Sequence, residues 1–155
     1  MRIISGKHKG KRIIAPRNLP IRPTTDMAKE SLFNIINNWY AISTIKVLDL
    51  FSGSGNIAFE FGSRGCKEIV AVDSNYNCVK FISKIATELD LPITTIKSDV
   101  FKYLDKASGN YEVIFADPPY NLEDKDFENI ASKVFDNSWL SENGTLILEH
   151  SEHTD

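Results

Sequence analysis

The chain has 155 residues, 42% of them hydrophobic, which is enough for one domain with an apolar core. No run is long and apolar enough for a membrane span, and Met1-Arg2-Ile3-Ile4-Ser5-Gly6-Lys7 lacks the apolar centre of a signal peptide, so a cytoplasmic protein is expected. The net charge of −3 hides an asymmetry: residues 1–22 hold seven of the 18 Lys and Arg and no Asp or Glu, leaving 11 basic against 21 acidic residues in the rest.

Such a basic arm suits a polyanion, most often nucleic acid, although a solvated tail has the same composition. Within it, Arg2-Ile3-Ile4-Ser5 and Lys11-Arg12-Ile13-Ile14-Ala15 flank Gly6-Lys7-His8-Lys9-Gly10, which predicts a hairpin with a basic tip. Arg2, Lys7, His8, Lys9, Lys11, Arg12 and Arg22 are the candidate RNA-binding residues. Pro16, Pro20 and Pro23 make residues 16–23 an extended connector. A helix is predicted from Thr24-Thr25-Asp26, with a threonine cap and a buried stripe of Leu32, Ile35, Ile36 and Trp39.

Val47, Leu48, Leu50 and Phe51 read as a strand buried on both faces, followed by the turn Gly53-Ser54-Gly55 and a helix over residues 56–64 that stops at Gly65. Glycines at 53 and 55 let backbone approach a ligand, and Asp49 near the strand end can accept from ligand hydroxyl or amino groups. The next predicted strand, Glu68 to Val72, ends in Asp73, which lies 18 positions after Gly55 and close to the ~20 of a ribose-gripping acid. A helix with Cys78, Ile82, Ile85 and Leu89 inward precedes a strand at Ile93 to Ile96, which runs into Ser98-Asp99-Val100. Tyr111 to Ala116 is a fourth strand, closed by Asp117-Pro118-Pro119-Tyr120. A helix near Phe127–Phe135 and a strand at Thr145 to Leu148 follow. Cys66 and Cys78 have neither metal-ligand spacing nor secreted context and read as reduced thiols; no metal is expected.

This alternation predicts an α/β fold with a doubly wound, mostly parallel sheet, formed by a single domain over 1–155 whose core spans 23–155. Asp49, Asp73, Asp99 and Asp117 then fall at or near strand ends around one crevice. Gly53 to Ala58 also satisfies the G-x-G-x-x-A pattern of dinucleotide sites, but a dehydrogenase gives no reason for Asp-Pro-Pro-Tyr. Two prolines without N–H end the ladder and stiffen the peptide, leaving the Asp117 carboxylate and the Pro118 carbonyl as paired acceptors for an exocyclic –NH₂. Held by both, the amine nitrogen can turn its lone pair toward an electrophile, and Tyr120 can stack on the base. A stiff turn after a buried strand is the bland alternative.

Asp49-Leu50-Phe51-Ser52-Gly53-Ser54-Gly55 together with Asp117-Pro118-Pro119-Tyr120 resembles the Rossmann-like, S-adenosylmethionine-dependent amino-methyltransferases. With Arg2 to Gly10, Arg22-Pro23-Thr24-Thr25-Asp26 and Glu149-His150, the chain is similar to the RsmD-type family, which acts on guanine N2 of small-subunit ribosomal RNA. The resemblance implies S-adenosylmethionine as cofactor and ribosomal RNA or an assembling subunit as partner of a monomer. It places Gly53 and Gly55 against the methionine part, Asp73 on the ribose and Asp99 near the adenine, with Asp49, Phe51 and Val100 completing the cofactor site. Asp117, Pro118 and Tyr120 hold the target base. The family sheet continues after Glu-His into two more strands, so the C-terminal strands are expected to be missing here and the sheet edge exposed. A DNA amino-methyltransferase and a non-catalytic RNA-binding assembly factor are the rival readings.

Overall fold

The computed structural model describes residues 1–20, 24–106, 109–119 and 122–149. Arg22, Tyr120 and His150, all singled out from the sequence, lie outside that set.

Five strands form one parallel sheet in the order β3-β2-β1-β4-β5: β1 Lys46–Leu50, β2 Glu68–Asp73, β3 Ile93–Lys97, β4 Tyr111–Ala116 and β5 Leu140–Leu148. The chain winds outward from β1 to β3, then returns to lay β4 against the other side of β1. This reversal opens a crevice beyond the carboxyl ends of β1 and β4, where a doubly wound sheet binds ligands. Helices α1 Asp26–Trp39, α2 Asn56–Ser63 and α3 Tyr76–Glu88 share one core with Val47, Ile69 and Val113. On the other face α4 Val100–Leu104 and α5 Asp124–Asp136 pack over Leu48, Leu50 and Ile114. Alternate residues of β1 thus serve opposite cores, as the uninterrupted apolar run requires.

Several expectations are corrected. Phe51 is not in β1; it turns the chain at φ 55°, a left-handed conformation rare for an aromatic residue, with its ring edge-on to Phe101 at 6.3 Å. Thr25 caps α1, accepting from the Ala28 N–H, but the inward face of the helix is Lys29, Phe33 and Ile36. Ile35 and Trp39 are 48% and 61% exposed. The short α4 follows Asp99, where the sequence reading assigns no element, and β5 begins five residues before Thr145, a bulge opposite Tyr111 to Val113 absorbing the excess.

The rotated face of α1 has a specific cause. Lys29, 1% exposed, points its ammonium at Glu60 of α2, 0% exposed, across 3.2 Å. Glu60 also accepts from the backbone N–H groups of Ile4 and Ser5 and from Arg64 Nε, so its charge is compensated on every side. A buried carboxylate is tolerable only with such partners, and two of them come from the arm. The arm is therefore part of the folded body. It pairs antiparallel through Arg2 and Arg12, buries Ile3 and Ile13, and passes so close to α2 that a Cβ on Gly6 would lie 1.9 Å from the Ser63 carbonyl oxygen.

Candidate active site

A cavity of about 510 Å³ lies at the switch point and is walled by the ends of β1, β2 and β4. The β1 end supplies Asp49, Phe51, Gly53 and Asn56, the β2 end Asp73 and Asn75, and the β4 end Asp117, Pro118 and Pro119.

The β1 loop is shaped by its backbone. Gly53 and Gly55 have φ of 56° and 84°, where a side chain is strained, and a Cβ on Gly55 would meet Phe59 at 2.8 Å and Ile82 at 2.9 Å. Ser52 is tied to the end of β2, both its N–H and its hydroxyl donating to the Val72 carbonyl at 3.1 Å. Asp73 completes the tie: Oδ2 accepts the Gly53 N–H and Oδ1 the Asn75 N–H, each at 2.9 Å. Each oxygen retains a further acceptor direction for ligand hydroxyls.

Asp49 is 1% exposed, and its Oδ2 has no hydrogen-bond partner. Burial pushes its carboxyl well above the ordinary aspartate range and the Asp73 carboxylate pushes the same way, while the Ala58 N–H opposes them. An uncompensated polar atom on a cavity wall is a reserved contact, costly until a ligand donor meets it.

Asp117 is half-buried and Pro118 buried immediately after β4, and both residues line the cavity. Asp99 and Val100 are not among the residues lining the cavity. Asp99 caps α4, its Oδ1 accepting from the Lys102 N–H at 3.0 Å, and Val100 is buried in the α4 and α5 core. Three of the four strand-end acids therefore share the crevice; the fourth serves as a helix cap. In the arm, Arg2, Lys7, Lys9, Lys11 and Arg12 are exposed, whereas His8 is half-buried with Nε2 at 2.9 Å from the Leu89 carbonyl oxygen. The sequence reading missed Asn56 and Lys29, because neither type carries a motif at its position.

A family model described as conserved hypothetical protein 95 matches residues 1–155. The ribosomal RNA small subunit methyltransferase D of Buchnera aphidicola subsp. Baizongia pistaciae is 31% identical over 150 residues, covering 96% of this chain and 75% of that protein. The chain belongs to the RsmD-type methyltransferase family. A second relative, the putative rRNA methyltransferase YlbH of Bacillus subtilis, is 30% identical over 160 residues, which span all of this chain and 85% of its own length. The structure of the putative methyltransferase yhhF from Escherichia coli superposes with a TM-score of 0.85 at 27% identity, covering 97% of this chain and 80% of that one.

Proposed function

We propose that this chain is an S-adenosylmethionine-dependent methyltransferase that modifies the exocyclic N2 of guanine in small-subunit ribosomal RNA. The observation that carries this reading is one cavity walled jointly by the Gly53 loop, Asp73 and the Asp117-Pro118 acceptors, since methyl transfer to an amine requires a cofactor site and an amine site within reach of each other.

The wall suits the cofactor. Asp73 offers acceptors for ribose hydroxyls, the unpartnered Asp49 Oδ2 awaits a donor, and Gly53, without a Cβ, lines the cavity where a ligand chain can come close to backbone, while Gly55 packs inward on Phe59 and Ile82. Asp99 retains one oxygen for the adenine end and stands beside Val100, while Phe51 lines the cavity. When bound, S-adenosylmethionine supplies an electrophilic methyl group on a sulfonium.

Everything else falls to side chains and backbone of this protein. Asp117 and the Pro118 carbonyl accept hydrogen bonds from the two N–H groups of the base amine, which aims the nitrogen lone pair, and the Asp117 carboxylate offsets the positive charge that develops on it. After transfer Asp117 is placed to take the surplus proton. Tyr120, two positions after Pro118 in sequence, supplies a ring for stacking the base. The exposed Lys7, Lys9, Lys11 and Arg12, with Arg2 and Arg22, contact RNA phosphates without reading sequence, and His8 orients the arm through Leu89.

Mass spectrometry of small-subunit ribosomal RNA from cells with and without the gene tests this reading. Loss of one N2-methylguanosine on deletion is expected; an unchanged set of methylated guanosines contradicts it.

A further inference from the structure

We infer that Asn56 is a further cofactor-binding residue, whose side-chain amide takes a carboxylate, and that Lys29 is the positioning residue that orients it. On the reading proposed above, that carboxylate belongs to the methionine part of the cofactor.

Asn56 is the first residue of α2, half-buried, and it lines the cavity. Its Oδ1 accepts from Lys29 Nζ at 2.8 Å. The same ammonium donates to the Arg2 carbonyl at 2.5 Å and faces Glu60 Oε1 at 3.2 Å, so its three N–H groups are committed. An ammonium can only donate. Turning the Asn56 amide over would set its NH₂ against Nζ with no acceptor between them, which leaves two buried donors unsatisfied. One orientation of the amide is therefore fixed, with the oxygen held by Lys29 and Nδ2 turned away from it. No hydrogen bond joins Nδ2 to a described residue.

The rest of the cavity wall decides what those N–H groups meet. Its ionisable members are the acids Asp49, Asp73 and Asp117, and no Lys or Arg is among its described lining residues. The described wall therefore offers an anion no cation of its own. Thr24, Ser54, Ser74 and Asn75 also bring donors to the wall, but Asn56 is the one among the described lining residues whose amide has the Lys29 ammonium behind it. A ligand carrying hydroxyls, amino groups and a single carboxylate would place the carboxylate there. Since Lys29 also holds the Arg2 carbonyl, the same network ties this subsite to the docked arm.

Asn56→Asp tests the assignment because it keeps an acceptor for Lys29 and changes only the group presented to the ligand. Two neutral thioethers serve as probes by calorimetry: S-adenosylhomocysteine, which has the amino-acid carboxylate, and 5′-methylthioadenosine, which lacks it. Asn56→Asp should weaken S-adenosylhomocysteine by about tenfold or more, the scale of a hydrogen bond to a charged group, and leave 5′-methylthioadenosine unchanged. Lys29→Met, which frees the amide, should show the same selective loss, and should add none in an Asn56→Ala background. The inference is overturned if Asn56→Asp and Lys29→Met bind both compounds as wild type does, if both variants lose the two compounds equally, or if Asn56→Asp binds S-adenosylhomocysteine more tightly. Failure of the wild-type protein to bind either compound would instead contradict the methyltransferase reading itself.

Discussion

The backbone N–H of Gly53 donates to Oδ2 of Asp73 at 2.9 Å, so the acid at the end of β2 holds the glycine turn at the end of β1. The residue expected to grip a ribose thus also shapes the loop beside it, and the two roles can be separated. Asp73→Ala removes the acceptors for Gly53 and Asn75 as well as those for the ligand. Its cofactor affinity should fall at least ~10-fold, with a modest drop in thermal midpoint from the loosened loop. Asp73→Asn keeps one oxygen and should fall between. Unchanged affinity by calorimetry would remove Asp73 from the site.

Asp49 sets the pH dependence. Burial raises its carboxyl in the folded protein, while the unfolded chain keeps the ordinary value of 3.8. The folded state therefore holds the proton more tightly, and the associated stability is full below about pH 3.8 and lost as the pH rises through the raised folded value. Asp49→Asn abolishes that titration. Its stability advantage over wild type, followed by denaturant unfolding without ligand, should grow as the pH rises above 4, while cofactor binding weakens through loss of the Oδ2 acceptor. A pH-independent difference would contradict the assignment.

The docked arm makes a prediction about two glycines that look alike in sequence. Gly10 has φ 84° and open space around its Cβ position, so Gly10→Ala should cost only the left-handed strain, about 1–2 kcal/mol. Gly6 has φ 90° and backbone of Ser63 and Arg64 in the way, so Gly6→Ala should cost clearly more and expose Ile3 and Ile13 to proteolysis. Equal costs in chemical denaturation would mean the arm is not held against α2.

Salt dependence separates the charges of the arm from its architecture. Deleting residues 1–12 would also strip Glu60 of two donors, so single charge removals are the cleaner test. Lys7→Gln, Lys9→Gln, Lys11→Gln and Arg12→Gln should each lower the slope of log affinity for RNA against log salt by roughly one unit at a phosphate contact. Slopes unchanged in all four would leave the arm with a structural role alone.

Much of the fold is legible in the amino-acid sequence. Runs such as Tyr111 to Ala116, apolar at nearly every position and closed by prolines, admit one reading as a doubly covered parallel strand, and their order dictates the winding. The glycines at 53 and 55 and the Asp117-Pro118 pair could be placed because turn chemistry is local. Lys29 shows where that logic stops. A lysine on a helix is read as solvent-facing, and only Glu60, 31 positions later, makes its burial possible. The stripe expected through Ile35 and Trp39 failed for that reason. Asp99 is less legible: a strand-end acid serves equally as ligand contact or as cap, and α4 makes it a cap through one of its two oxygens.

The central claim is that Asp117 takes part in methyl transfer and does not merely end a strand. Asn at 117 keeps the shape but is neutral and offers only one acceptor, so the charge developing on the base nitrogen loses its counter-charge. Single-turnover transfer to small-subunit ribosomal RNA under saturating S-adenosylmethionine measures this step directly. Asp117→Asn should slow it by about 10²–10³ while cofactor affinity stays near wild type. Turnover by Asp117→Asn at the wild-type rate would contradict the account.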